Sequence, residues 1–228
     1  MTAGSFLRRR ARALTEPQPG EPRRLPFGPA RGLRVAGDPT LPLDVWFGLY
    51  ESELSRFIRD HFRPGMACVD VGSYNGYYAL LFTRLGASRV RAYDSDPSSA
   101  ERIRRNLELN PTLAPAIEPS DLIVAGVADP AARKVTLDDD LQGWERVGLL
   151  KIDVEGAERD VLNGASRILA DEHPQVIVET HSADLEQSCA ELLLEHGYRP
   201  RVVTLRWLLP ENRHLEHNRW LVAAGGDP

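Results

Sequence analysis

Short apolar runs alternate along this chain with segments whose apolar residues recur at three- and four-residue intervals. The run Ala67–Val71 reads as a strand. It is followed by the turn Gly72-Ser73-Tyr74-Asn75-Gly76 and by a helix to about Leu85, stopped at Gly86. Arg89–Tyr93 is predicted as a second strand and Ser98–Asn110 as a second helix, opened by Asp96-Pro97 and ended by Pro111. Asp121–Val127 is expected as the third strand, Val135–Leu137 as a short extended piece, and Val147–Ile152 as the next strand. A helix then finishes near Asn163-Gly164, with Ala165 to Leu169 as a short continuation. Gln175–Val178 follows as a strand and Asp184–His196 as an amphipathic helix closed by Gly197. Arg201–Leu209 and Trp220–Ala224 are expected as two last strands around the polar turn 210–218. This order predicts an α/β fold: a doubly wound, mostly parallel seven-stranded sheet with helices on both faces and its last strand antiparallel.

Upstream, Asp44–Phe62 is predicted as one helix, with Leu49, Leu54, Phe57 and Ile58 at helical spacing and Arg63-Pro64-Gly65 as its stop. Residues 1–41 are rich in proline, glycine and arginine. They are expected as a flexible extension, Arg8-Arg9-Arg10 and Arg12 forming a solvated tail or a contact to an acidic surface, with Gly32–Ala36 as a hairpin arm. The folded domain is then 42–228. The extension's role as a lid or in a homodimer stays open.

Composition narrows the class. At 228 residues, 42% hydrophobic and 27% charged, the chain suits one soluble αβ domain. A net charge of -5 gives no electrostatic case for nucleic acid as a partner. No apolar stretch is long enough for a membrane span and no apolar core follows the early arginines, so a cytoplasmic location is expected. Cys68 and Cys189 lack metal or redox spacing and are expected as buried thiols. Of 28 basic residues only Lys134 and Lys151 are lysines.

In a doubly wound sheet the ligand lies beyond the carboxyl ends of the strands. Asp70, Asp94 and Asp153 stand at three such ends, and Glu179 and His181 follow the next strand. The 24-residue step from Asp70 to Asp94 suits a carboxylate that accepts ribose hydroxyls. The glycines run Gly72-x-x-x-Gly76, without the Gly-x-Gly-x-x-Gly that cradles a pyrophosphate, and Asp70 would repel one. That disfavours NAD and favours S-adenosylmethionine, which carries an ammonium and a cationic sulfur.

Asp70-Val71-Gly72-Ser73-Tyr74-Asn75-Gly76 is similar to the first motif of class I S-adenosylmethionine-dependent methyltransferases. Together with Leu150-Lys151-Ile152-Asp153-Val154-Glu155-Gly156-Ala157-Glu158 it resembles the FkbM family of O-methyltransferases. Gly48–Glu51 and Val178–His181 resemble the family's flanking segments, so the likeness runs from Gly48 to Gly197. It implies a Rossmann-like methyltransferase domain over 42–228 and S-adenosyl-L-methionine as cofactor. Asp70, Gly72 and Gly76 would lie near its methionine part and Asp94 would bind its ribose; Asn75 is a further cofactor-binding candidate, and Tyr74 one that lines the cofactor pocket or the substrate mouth. The acceptor implied is a hydroxyl on a small molecule such as a sugar or specialised-metabolite scaffold. The sequence departs from the family pattern at Tyr74, at Asp94-Ser95-Asp96-Pro97 and in the short segment 110–144, where Asp129 is the candidate adenine contact.

Methyl transfer to an alcohol needs an aligned acceptor oxygen and help in removing its proton. Asp153, His181 and Glu179 are the candidate catalytic residues, and the same three are candidate ligands for Mg²⁺ or another divalent ion, although their spacing is no ligand motif. Glu51, Lys151 and Glu155 are substrate-side candidates. For Lys151 an ion pair is the competing role; for Glu155 and Glu158 it is charging the next helix's N-terminus. His196, His214 and His217 are expected to be solvated. Two other functions stay open: a catalytically degenerate methyltransferase-like binding domain and an NAD-dependent oxidoreductase.

Overall fold

The computed structural model describes residues 18–203 and 218–226. The chain opens with a hairpin of β1 (Pro22–Arg24) and β2 (Arg34–Ala36). A broken helical segment leads to α1 (Ser55–His61), and then β3 (Ala67–Val71), α2 (Tyr77–Arg84), β4 (Arg89–Tyr93), α3 (Pro97–Glu108) and β5 (Ile117–Ser120). β6 (Ile123–Val124) and β7 (Lys134–Val135) form a small parallel pair of their own, followed by α4 (Leu137–Asp140). The second half is β8 (Val147–Ile152), α5 (Glu158–Asn163), β9 (Gln175–Thr180), α6 (Ala183–Glu195), β10 (Arg201–Val203) and β11 (Arg219–Ala223).

Seven strands make the main sheet in the order β10-β11-β9-β8-β3-β4-β5. The five from β9 to β5 are parallel to one another, and β11 runs antiparallel between β9 and β10. The expected mostly parallel sheet with an antiparallel last strand is therefore present. Both faces are covered, as alternation along the strands requires. Cys68, Val90, Leu149, Ile177 and Trp220 join the first core, with α1, α2 and the hairpin. Val69, Leu150, Ile152, Val178 and Leu221 join the second, with α5 and α6. Cys68 and Cys189 are buried free thiols.

Three expectations are corrected. The third strand of the sheet is Ile117–Ser120, not Asp121–Val127. It contains Pro119, which interior strands reject but this edge strand accepts, because its outer side has no ladder to complete. The expected helix 44–62 is broken into 3₁₀ turns at Leu43–Phe47 and Ser52–Leu54 before α1. Gly48 (φ 67°) and Glu51 (φ 46°) are left-handed, and a side chain at Gly48 would collide with the Phe27 carbonyl. Residues 18–41 are not a loose extension. Leu25, Leu33 and Val35 are at most 1% exposed, and Asn106 and Asn110 of the α3 end bond the backbone of Arg34 and Ala36. Apolar side chains too few to fold alone are ordered here by a neighbouring helix. The cluster Arg8 to Arg12, the strand beyond Val203, most of the turn 210–218, His214 and His217 lie outside the described residues; His196 is half-buried. Among the described residues, no helix is long and apolar enough to cross a membrane.

Candidate active site

Register sets the site. Val71 pairs with Tyr93 on one side and Ile152 on the other, and Ile152 pairs with Val178. The carboxyl ends of β3, β4, β8 and β9 therefore finish level, and Asp94, Asp153 and Glu179 share one edge. Asp70 pairs with Lys151, and Glu179 with Trp220. Alternation puts Asp70, Lys151 and Glu179 on the face occupied by Cys68, Leu149 and Ile177, under α2.

Lys151 is 1% exposed. Its Nζ lies 3.2 Å from Asp153 Oδ2 and 3.5 Å from Asp70 Oδ1, over the rings of Tyr78 and Trp220 at 4.7 and 5.7 Å. Burial alone would favour the neutral amine; Asp153, Asp70, Glu51 and Glu179 outweigh it and raise its pKa. Asp70 is fully buried and neither carboxylate oxygen has a hydrogen-bond partner. Burial pushes its pKa up to about 6 against the pull of Lys151. Glu51, 3% exposed, accepts a 2.6 Å bond from the Tyr78 hydroxyl. Burial and then the Asp153 charge push its pKa up to about 7. Lys151 is thus the ion-pair centre of a buried polar cluster, and Glu51 faces Tyr78 from behind the cleft.

The glycine turn is strained toward the site. Gly72 (φ 80°) and Gly76 (φ 78°) are left-handed, and so is Tyr74 at φ 49°. A side chain at Gly72 would strike the Asp153 carbonyl oxygen, so the close approach this glycine permits is that of the chain itself. The Tyr74 amide donates to Asp94 Oδ2 at 2.7 Å, and the Asp96 amide to Asp94 Oδ1 at 2.9 Å. This holds the carboxylate at the strand end with lone pairs still facing outward. The Tyr74 ring lies under Arg102, 4.4 Å from its guanidinium carbon, and its hydroxyl donates to Asp38. Asn75 is buried and accepts from the Tyr77 amide at the start of α2. A cavity of about 40 Å³ lies between Gly72, Tyr74, Lys151 and Asp153 on one side and Leu41 and Tyr50 on the other.

On the other side of Asp153, Asp153, Glu179 and His181 each offer a ligand-type atom, all within 4.8 Å of one another. Burial alone would raise the Asp153 pKa; Lys151 and a hydrogen bond with Glu179 outweigh it and hold the carboxyl below its ordinary value. His181 Nδ1 bonds Glu158 Oε1, and Nε2 faces Asp153 Oδ1 at 3.9 Å. The bond to Glu158 raises the His181 pKa against the opposing effect of burial, with Asp153 adding to the rise.

Glu158 does more than charge a helix end: it is 0% exposed and turned onto His181. The signal in the sequence is its place as the second acid of Glu155-Gly156-Ala157-Glu158, three residues on, where one helical turn carries it inward. Glu155 is exposed on the loop and reaches His181 only through its charge. Asp129 is not brought to the cluster. It is exposed, and its carboxylate accepts from the Ala131 and Ala132 amides of a 3₁₀ turn.

A family model described as "Methyltransferase FkbM domain" matches residues 130–200. The ribosomal protein L11 methyltransferase of Bacillus cereus (strain G9842) is 41% identical over 76 residues, 28% of this chain. The chain covers 24% of that relative's length. Among solved structures, the methyltransferase FkbM of Methylobacillus flagellatus KT is similar with TM-score 0.59 at 16% identity, over 74% of this chain and 50% of that one. The precorrin-6y C5,15-methyltransferase of Geobacter metallireducens GS-15 gives 0.57 at 14% identity, over 84% of this chain and 94% of that one. A SAM-dependent O-methyltransferase of Thermotoga maritima gives 0.52 at 16% identity, over 92% of this chain and 79% of that one. The sheet order, the level strand ends and these likenesses show that the chain has the fold of class I methyltransferases, and residues 130–200 match the model of the methyltransferase FkbM domain.

Proposed function

We propose that this chain is an S-adenosylmethionine-dependent methyltransferase that methylates a hydroxyl of a small molecule. The observation that carries the reading is the level row of acids at the strand ends, split between a nucleoside side at Asp94 and an acceptor side at Asp153, Glu179 and His181. The residues fit the cofactor. Asp94 keeps lone pairs for ribose hydroxyls, and Asp70, buried under the cleft and ion-paired with Lys151, adds negative charge toward an ammonium. When bound, the cofactor supplies an electrophilic methyl group whose bond electrons stay on sulfur as the group passes to the acceptor oxygen.

The chain's own residues then have three tasks. Leu41, Tyr50 and Tyr74 close the cleft and exclude water. A cavity of about 40 Å³ is too small for a nucleoside, so Tyr74 and the 41–50 segment must move outward to admit one. Lys151 fixes the Asp153 carboxylate through Oδ2, which leaves Oδ1 toward the acceptor side. The Asp153–Glu179–His181 cluster then lowers the cost of removing the hydroxyl proton. A net charge of -5 and this acidic mouth favour a neutral or cationic small acceptor over nucleic acid.

The test is calorimetric titration with S-adenosylmethionine and, separately, NAD, repeated with Asp94→Ala. Micromolar binding of the methyl donor, lost in the variant, is expected, followed by label transfer to hydroxylated acceptors. Binding of neither cofactor would move the reading to a degenerate domain; binding of NAD alone would move it to an oxidoreductase.

A further inference from the structure

The acceptor-side cluster has an arrangement that a proton-accepting histidine does not need. Asp153, Glu179 and His181 each turn a ligand-type atom toward one point, all within 4.8 Å of one another. Two carboxylates brought this close repel each other unless a proton or a cation lies between them. His181 Nε2 faces the same point but stands 3.9 Å from Asp153 Oδ1, beyond hydrogen-bond length. Ligand atoms around a hard divalent ion at about 2.1 Å lie roughly 3 to 4 Å apart. The three groups here, within 4.8 Å of one another, need to close by at most about 1 to 2 Å.

A second observation concerns orientation. Glu158, 0% exposed, receives the Nδ1 side of His181, which leaves the Nε2 lone pair toward the carboxylates. A buried carboxylate on the far nitrogen is the usual way a ligating imidazole is held and made more basic. Lys151 occupies the other oxygen of Asp153, so Oδ1 is the atom left to an ion. We propose that Asp153, Glu179 and His181 form a binding site for one hard divalent cation, Mg²⁺ or Mn²⁺, with Glu158 as the positioning residue behind His181. Three protein ligands leave coordination positions open for water and for the acceptor hydroxyl, whose pKa the ion would lower. The role assigned to the ion rests on the methyltransferase reading; the binding itself does not.

The test uses the whole chain, stripped with EDTA and desalted, and Mn²⁺ alone as the probe. Loss of the free-ion electron paramagnetic resonance signal on titration is expected to show one site. The bound ion should give a ¹⁴N modulation from an imidazole. Glu179→Gln and His181→Asn should each weaken binding at least tenfold, and His181→Asn should abolish the modulation. Glu158→Gln should weaken binding less, with the modulation retained. Circular dichroism checks folding, and Glu179→Gln, which keeps the side-chain shape, serves if the histidine variant does not fold. No binding below millimolar Mn²⁺, or equal binding by parent and Glu179→Gln, would overturn the site. Mn²⁺ binding without S-adenosylmethionine binding would leave the site standing and overturn the proposed function; the reverse would overturn only the metal.

Discussion

Glu51→Gln tests the electrostatics of the buried cluster. Glu51 is 3% exposed, and its pKa rises from 4.5 to about 7 on folding because burial, and next the Asp153 charge, disfavour ionisation more than Lys151 and the Tyr78 hydroxyl favour it. Between those two values the folded chain holds a proton that the unfolded chain releases. Stability therefore falls as pH rises through that window and stays lower above it. At about 1.4 kcal/mol per tenfold the whole rise is worth about 3 kcal/mol. Asp153, held low in the same cluster, offsets part of this, so the effect expected of Glu51 itself is on the order of 1 to 2 kcal/mol. Glutamine has the same shape, still accepts from Tyr78 and carries no charge. The variant should match the parent's trend below pH 5 and gain about 1 to 2 kcal/mol on it by pH 8, or about 2 to 8 °C in Tm for a chain of this size. Urea and thermal melts of both proteins at pH 5 and pH 8 provide the comparison. An offset that is the same at both pH values would refute the reasoning. So would a variant that loses ground as pH rises, because Glu51 would then be ionised and paired with Lys151 in the folded state.

Two further substitutions probe the same edge. Lys151→Met removes the cation between Asp70 and Asp153 and leaves them buried without it. A loss of about 3 to 5 kcal/mol is expected at pH 8 and a smaller one at pH 5, where Asp70 is protonated, measured by urea melts. Equal losses at both pH values would remove Asp70 from the account. Gly72→Ala forces a side chain against the Asp153 carbonyl at a left-handed backbone position, so a loss above about 3 kcal/mol or failure to accumulate as soluble protein is expected. An unchanged Tm would mean that the turn relaxes freely.

Much of the fold is legible in the sequence because it is written locally. Strands β3, β4, β8 and β9 show apolar runs ending in an acid or glycine, and α2, α3 and α6 have start and stop residues close to their observed ends. The strand-end acids Asp70, Asp94, Asp153 and Glu179 can be named from the order of elements, because ligands meet strand carboxyl ends whatever the detailed packing. What the sequence hides depends on partners far along the chain. Pro119 in β5 is tolerated because that strand is at the edge. Leu25, Leu33 and Val35 are ordered because their hairpin is pinned where Asn106 and Asn110 bond the backbone of Arg34 and Ala36. Glu158 meets His181 because the fold brings the start of α5 to the residue after β9, 23 positions along the chain.

The amino-acid sequence by itself determined the alternation of strands and helices, the place of the glycine turn and the identity of the acids at the strand ends. These follow from backbone preference and side-chain periodicity over a few residues. Only the tertiary structure decided that β11 enters between β9 and β10, which sets Trp220 beside Glu179 and over Lys151. It also decided that Asp153, Glu179 and His181 converge with Glu158 behind them. The physical reason is that register and strand order are fixed by the burial of two whole faces at once, and no local stretch of the chain contains both sides of that contact.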